Sequence, residues 1–231
     1  MMPACATSPL PVRAVVIDLD GTLLHTAPDL AEAANRMLVE MGRAPVPVDI
    51  VMTYIGNGVD RLIKRVLTGQ LDAEPDPALF ARAKPIYEKH YDAVVSLHSR
   101  PFPGVVEGLQ ALKAAGFRLA CVTNKPARFT LPLLKDTGLH DFFELILSGD
   151  SLPRTKPDPM PLLHACEVFG IRPQQLLLIG DSMNDALAAR AAGCHIFCVP
   201  YGYNHGEPVE NLDLDRVVSS VEEASRLICK S

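Results

Sequence analysis

Several features are missing from this chain of 231 residues, and each absence removes a class of function. No apolar run is long enough to cross a bilayer, which takes about 20 consecutive residues, so no membrane association is expected. No cationic run appears either. The net charge is -5 with the 22 Lys and Arg scattered, so no nucleic-acid partner is expected. The six cysteines (Cys5, Cys121, Cys166, Cys194, Cys198 and Cys229) form neither a C-x-x-C pair nor a zinc spacing. Most fall inside apolar patterns and read as reduced core thiols, not as a disulfide scaffold. The seven histidines include no H-x-x-x-H pair and read as surface or structural residues. Met1 to Pro11 has Pro and small residues but neither a positive start nor an apolar centre, so it reads as a frayed tail and not a signal peptide. A cytoplasmic location is the resulting expectation.

What is present is a hydrophobic fraction of 48%, ample for a real core. The most informative stretch is Val15-Val16-Ile17-Asp18-Leu19-Asp20-Gly21-Thr22. An unbroken apolar, β-branched run reads as a strand buried on both faces, as in the middle of a parallel sheet. Asp18 and Asp20 then arrive at its end on one side of an extended segment, since alternate residues share a face. Gly21 permits a sharp turn and Thr22 offers a hydroxyl. Two like charges held this close need a cation or a shared proton, and a divalent metal is the simplest answer.

From Ala27 to about Val95 there is no convincing strand. Residues Asp29 to Gly42 space their apolar positions for a helix, with Asp29 as N-cap and Gly42 just past its end. Helices are predicted near Val48 to Tyr54 and Val59 to Leu67. Another opens at Asp76 and runs towards Val95, with Pro85 expected to kink or split it. Arg61, Lys64 and Arg65 read as a solvated helix face.

Beyond Pro103 strands and helices alternate to the end, three of the helices closing at a glycine: Gly116, Gly138, Gly170. That pattern predicts an α/β fold, a Rossmann-like parallel sheet covered by helices on both faces. Residues 1–26 and 96–231 make the core, and 27–95 make an inserted α-helical cap after the first strand. Sites of such sheets lie beyond the carboxyl ends of the strands. The polar clusters fall there: Asp18 and Asp20, Thr123-Asn124-Lys125, the loop Gly149 to Asp158 with Lys156, and Gly180 to Asp185.

These residue types suit phosphoryl transfer, which needs an in-line nucleophile, positive charge around the equatorial oxygens and a proton donor for the leaving oxygen. Asp18 can be a carboxylate nucleophile. Asp20 is placed to protonate the leaving alkoxide and then activate water. Thr123 can donate to a phosphoryl oxygen, and Lys156 can offset charge. Asp181 completes an oxygen-rich site that suits Mg²⁺. Asp185 can orient Lys156 or a metal-bound water. A free Asp titrates at about 3.9, so Asp20 as an acid must hold its proton beside the metal.

Asp18-Leu19-Asp20-Gly21-Thr22, Val122-Thr123-Asn124, Lys156-Pro157-Asp158-Pro159 and Gly180-Asp181-Ser182-Met183-Asn184-Asp185 resemble, in order, the four motifs of the haloacid dehalogenase-like phosphohydrolases. The resemblance implies Asp18 as nucleophile, Asp20 as acid and base, and Thr123, Asn124 and Lys156 around the phosphate. It also implies Mg²⁺ held by Asp18, the backbone carbonyl of Asp20 and Asp181, with Asp185 in support. A narrower resemblance, to the bacterial phosphoglycolate phosphatases, rests on Ile55-Gly56-Asn57-Gly58, Thr123-Asn124-Lys125-Pro126 and Tyr201-Gly202-Tyr203-Asn204. His25-Thr26-Ala27 departs from the family's usual small or acidic residue before Ser. The expected substrate is a small phosphorylated metabolite, 2-phosphoglycolate first, handled by a monomer or homodimer. Another sugar phosphate as substrate, a sugar phosphomutase, or a binding module without turnover are the competing expectations. A dehalogenase is disfavoured, because those relatives lack an acid at the position of Asp20.

Overall fold

A computed structural model describes residues 10–229 of the chain. Cys5 and most of the Met1 to Pro11 stretch lie outside the described residues. Six parallel strands form one sheet: β1 (Ala14–Ile17), β4 (Arg118–Val122), β5 (Leu145–Leu147), β6 (Leu176–Gly180), β7 (His195–Cys198) and β8 (Arg216–Val217). Their spatial order is β5-β4-β1-β6-β7-β8. Strand order therefore reverses at β1, which is where an open α/β sheet forms its binding crevice. Ile17 lies level with Cys121 of β4 and Ile179 of β6, so the loops that follow these three strands emerge side by side.

Alternate strand residues feed two hydrophobic cores, as a sheet buried on both faces requires. Val15, Ile17, Leu119, Cys121, Leu177 and Ile179 point to one side. Ala14, Val16, Ala120, Val122 and Leu178 point to the other, where α7 (Met160–Phe169) and α8 (Met183–Ala192) cover them. The first side carries α5 (Val105–Ala114), α6 (Ala127–Asp136) and α9 (Val221–Ile228). Among the described residues no helix is long and apolar enough to cross a membrane. Cys121, Cys166, Cys194 and Cys198 are free and buried, and Cys229 is free and exposed.

Between β1 and α5 stand four helices: α1 (Ala27–Glu40), α2 (Val48–Tyr54), α3 (Gly58–Thr68) and α4 (Pro77–Asp92). The chain enters and leaves this block through a two-stranded antiparallel ribbon, β2 (Leu24–His25) with β3 (Arg100–Pro101). Strands of two residues carry no readable periodicity, which is why the sequence did not announce them.

Three local expectations are corrected. Helix α1 begins two residues before Asp29, with Thr26 as N-cap and Pro28 in its first turn. Asp29 is wholly buried and accepts hydrogen bonds from the backbone N–H groups of His98 and Ser99 and from the Ser99 hydroxyl, tying the outgoing helix to the returning chain. Pro85 does not split α4, which runs unbroken from Pro77 to Asp92. Its ring is exposed while Ala83, Tyr87 and Tyr91 are buried on either side, so packing offsets the one lost backbone hydrogen bond. Arg65 is not solvated. It is buried, and its guanidinium donates to the carbonyls of Leu71 and Tyr54 and to Asn57 Oδ1. Arg61 and Lys64 do stay nearer the surface, both paired with Glu74.

Candidate active site

Asp18 follows β1 directly, and its backbone N–H still donates to the carbonyl of Ile179, so the strand ladder holds it. Its Oδ1 lies 2.8 Å from Lys156 Nζ. The same ammonium lies 2.7 Å from Asp185 Oδ1. Burial is the largest influence on Asp18 and pushes its carboxyl up to about 7, against the pull of Lys156. Burial alone would lower Lys156, but Asp18 and Asp185 outweigh it and hold the ammonium above its ordinary range.

Asp181 begins the loop after β6. Its Oδ1 accepts from the Thr22 hydroxyl at 2.8 Å and its Oδ2 from the Tyr203 N–H at 2.5 Å. Burial, then the charges of Asp18 and Asp185, drives it well above the usual carboxylate range. The neighbouring backbone leaves no slack: a β-carbon on Gly21 (φ +92°) would stand 2.3 Å from Asp181 Oδ2, and one on Gly202 would stand equally close. Asp185 sits in the first turn of α8, where its Oδ2 accepts from the hydroxyl of Ser182, the helix N-cap, and from that residue's N–H.

Ligand oxygens of Asp18, Asp181 and Asp185 all lie within 4.8 Å of one another. Three carboxylates against one ammonium leave negative charge unbalanced in a dry place, and the upward displacement of Asp18 and Asp181 is the expression of that strain. An all-oxygen donor set of this kind fits a hard divalent cation.

Asp20 faces a different set of partners. Its Oδ1 accepts from the Thr26 hydroxyl at 2.6 Å and from Lys125 Nζ at 2.7 Å, while its Oδ2 has no hydrogen bond among the described residues. The two carboxylates of the first motif are thus separated by their neighbours, one in the acidic cluster and one outside it.

Thr123 follows β4 and is buried; its Oγ1 accepts from the Lys125 N–H, which leaves its own proton free to be donated. Both amide hydrogens of Asn124 have acceptors, the carbonyls of Lys156 and Gly56, so its side chain bridges the Lys156 loop to the helical block. A side-chain contact from Asn124 to phosphate would need one of those bonds to open. Asp18, Asp20, Thr123, Lys125, Lys156 and Asp181 line one cavity, closed on the helical side by Leu30, Ile55, Val59 and Leu62.

Two contributors were not singled out from sequence. Lys125 lies in a quoted motif but reads there as one more loop lysine. Tyr203 also lies in a quoted motif, yet only the fold shows its hydroxyl meeting the N–H groups of Thr26 and Ala27 and His25 Nδ1. The unusual His25-Thr26-Ala27 segment is therefore the seat of that hydroxyl.

A family model described as haloacid dehalogenase-like hydrolase matches residues 12–193. The chain is 68% identical over 223 residues to a phosphoglycolate phosphatase of Thiobacillus denitrificans, spanning 96% of this chain and 98% of that one. It is 61% identical, with the same coverage, to one from Nitrosospira multiformis. Among solved structures it is similar to a protein from Haemophilus somnus described as a predicted phosphoglycolate phosphatase, with a TM-score of 0.88, 36% identity and coverage of 94% and 98%.

Proposed function

The chain belongs to the haloacid dehalogenase-like hydrolases, and from that membership we propose that it hydrolyses 2-phosphoglycolate to glycolate and phosphate with Mg²⁺ as cofactor. It is an enzyme acting on phosphate esters. The observation that carries the division of labour is the separation of Asp18 from Asp20: two carboxylates on one strand end with different partners can take different roles. The substrate is supported by the names of the 68% and 61% identical relatives.

Asp18 attacks phosphorus with its carboxylate, forming an aspartyl phosphate. The Lys156 ammonium and the Thr123 hydroxyl stand ready for the phosphoryl oxygens, and Asn124 holds the Lys156 loop in place. Asp20 gives its proton to the departing glycolate oxygen, then takes one from the water that releases phosphate. Its unbonded Oδ2 is the oxygen free to do so. Asp18 and Asp181 would hold Mg²⁺ together with the Asp20 carbonyl, with Asp185 behind them. Bound there, the cation would offset the charge of the cluster and of the phosphoryl oxygens.

The helices from α1 to α4 act as the cap, covering the cavity with an apolar wall that excludes water during transfer. A panel of phosphate esters assayed with purified protein and Mg²⁺ tests the reading. The expected result is highest kcat/KM for 2-phosphoglycolate. Phosphate release from no member of the panel would defeat it.

A further inference from the structure

Two ammonium groups line the cavity, and they are employed differently. Lys156 lies between two carboxylates, Asp18 and Asp185. Lys125 is just as deeply buried, 3% exposed, yet its Nζ meets one hydrogen-bond acceptor, Asp20 Oδ1 at 2.7 Å. Its other neighbour is the face of Tyr91, whose ring centroid lies 5.1 Å away. An ammonium has three N–H donors. One is spent on Asp20, and the ring takes up charge but accepts only weakly. A buried cation with donors in hand is costly unless something anionic arrives to use them.

The chemistry of the substrate says where that anion must be. In a phosphorylated hydroxy acid of two carbons, the carboxylate carbon is two bonds from the oxygen that leaves. Asp20 protonates that oxygen, so the carboxylate has to sit beside Asp20. Of the two groups bonded to Asp20, the Thr26 hydroxyl and the Lys125 ammonium, only Lys125 carries a charge. The helical wall of the cavity contributes the apolar side chains of Leu30, Ile55, Val59 and Leu62 beside Gly56 and Gly58, and no charged side chain.

We propose that Lys125 is the specificity-determining residue of this site, its free N–H donors receiving the carboxylate of the substrate while Lys156 attends the phosphoryl end. This rests on the hydrolysis of a small phosphorylated acid proposed above. Lys125 then has two tasks, reading the carboxylate and fixing Asp20 Oδ1, and kinetics with two substrates separates them.

The experiment compares 2-phosphoglycolate with 2-hydroxyethyl phosphate, which carries an alcohol in place of the carboxylate, in wild type, Lys125→Met and Lys125→Arg. In Lys125→Met, kcat/KM for phosphoglycolate should fall roughly 100-fold or more, since an ionic hydrogen bond is lost. For hydroxyethyl phosphate the fall should be about 10-fold or less, reflecting only the partner lost by Asp20. Inhibition by glycolate should weaken with it, while inhibition by inorganic phosphate persists and reports an intact fold. Lys125→Arg keeps the charge and should retain part of the preference. Equal losses on the two esters would overturn the proposal and leave Lys125 as a positioning residue for Asp20. So would a wild type that hydrolyses both esters equally well, a result that needs no folded variant. A wild type that hydrolyses neither ester defeats the substrate reading itself.

Discussion

The hydroxyl of Tyr203 accepts a hydrogen bond from the backbone N–H of Thr26 at 3.0 Å, at the point where the core chain becomes helix α1. A second N–H, that of Ala27, donates to the same oxygen, so the hydroxyl proton is left for His25 Nδ1. The N–H of Tyr203 meanwhile donates to Asp181. One residue therefore joins the acidic cluster to the root of the helical block. Tyr203→Phe should leave two buried N–H groups unpaired and cost about 1–3 kcal/mol of stability. Urea unfolding checks the cost; an unchanged midpoint would mean the N–H groups find another acceptor.

The acidic cluster predicts how the protein responds to a divalent cation. Mg²⁺ added to metal-free protein should raise its unfolding temperature, by the equivalent of about 2.7 kcal/mol at one hundred times the dissociation constant. Asp181→Asn should remove most of that gain. An equal gain in wild type and variant would place the cation elsewhere.

Lys156 stands among Asp18 and Asp185 with almost no exposure. Replacing it by Met strands both carboxylates in a dry site, at a cost of about 3–5 kcal/mol. Mg²⁺ should recover part of the lost stability but none of the phosphatase rate. Full activity in this variant would remove Lys156 from the reaction.

Asp18→Asn keeps the shape of the strand end and removes the proposed nucleophile. Phosphate release should fall by at least about 1,000-fold. Retention of more than a tenth of the wild-type rate would assign the attack to another group.

The pH dependence of the contact between core and helical block is set by His205, whose Nδ1 lies 2.8 Å from the carbonyl of Thr53 at the end of α2. Burial, with Arg65 adding to it, holds the imidazole below its ordinary value of 6.5, against the contrary effect of the Thr53 carbonyl. Below pH 6.5 the unfolded chain binds a proton that the folded one resists, so this contribution to stability is present at pH 8 and lost as pH falls. His205→Asn, which tolerates the left-handed φ of 55° at this position, should be less stable than wild type at pH 8. The gap should narrow towards pH 5.5. Urea titrations across that range decide it, and a gap independent of pH would assign the contact to shape alone.

The parallel sheet and the placing of Asp18, Thr123 and Asp181 were legible because each follows an apolar strand directly, with Lys156 in the loop beyond a fourth strand, and strand ends converge in this architecture. Lys125 and Asp20 are 105 residues apart in sequence, and nothing local says that they meet. The same holds for Asp29, whose acidic side chain looked like a helix cap. It instead holds the returning chain at His98 and Ser99. Periodicity reports which face of an element is buried, and it does not report which polar groups are buried together. Asn124 shows the difference at one residue: its motif was visible, while the spending of its amide on Gly56 and Lys156 came only with the fold.

The β2–β3 ribbon has a consequence for how such proteins diversify. His25 and Arg100 are partners across it, so the chain departs from the sheet and rejoins it through adjacent residues. Paired residues on antiparallel strands stand only about 5 Å apart. Any segment whose ends can be brought that close can be spliced in here at a modest cost in closure entropy, leaving the strands that carry the carboxylates undisturbed. The ribbon is thus a junction at which the segment between its strands can change in length and sequence without moving the carboxylates.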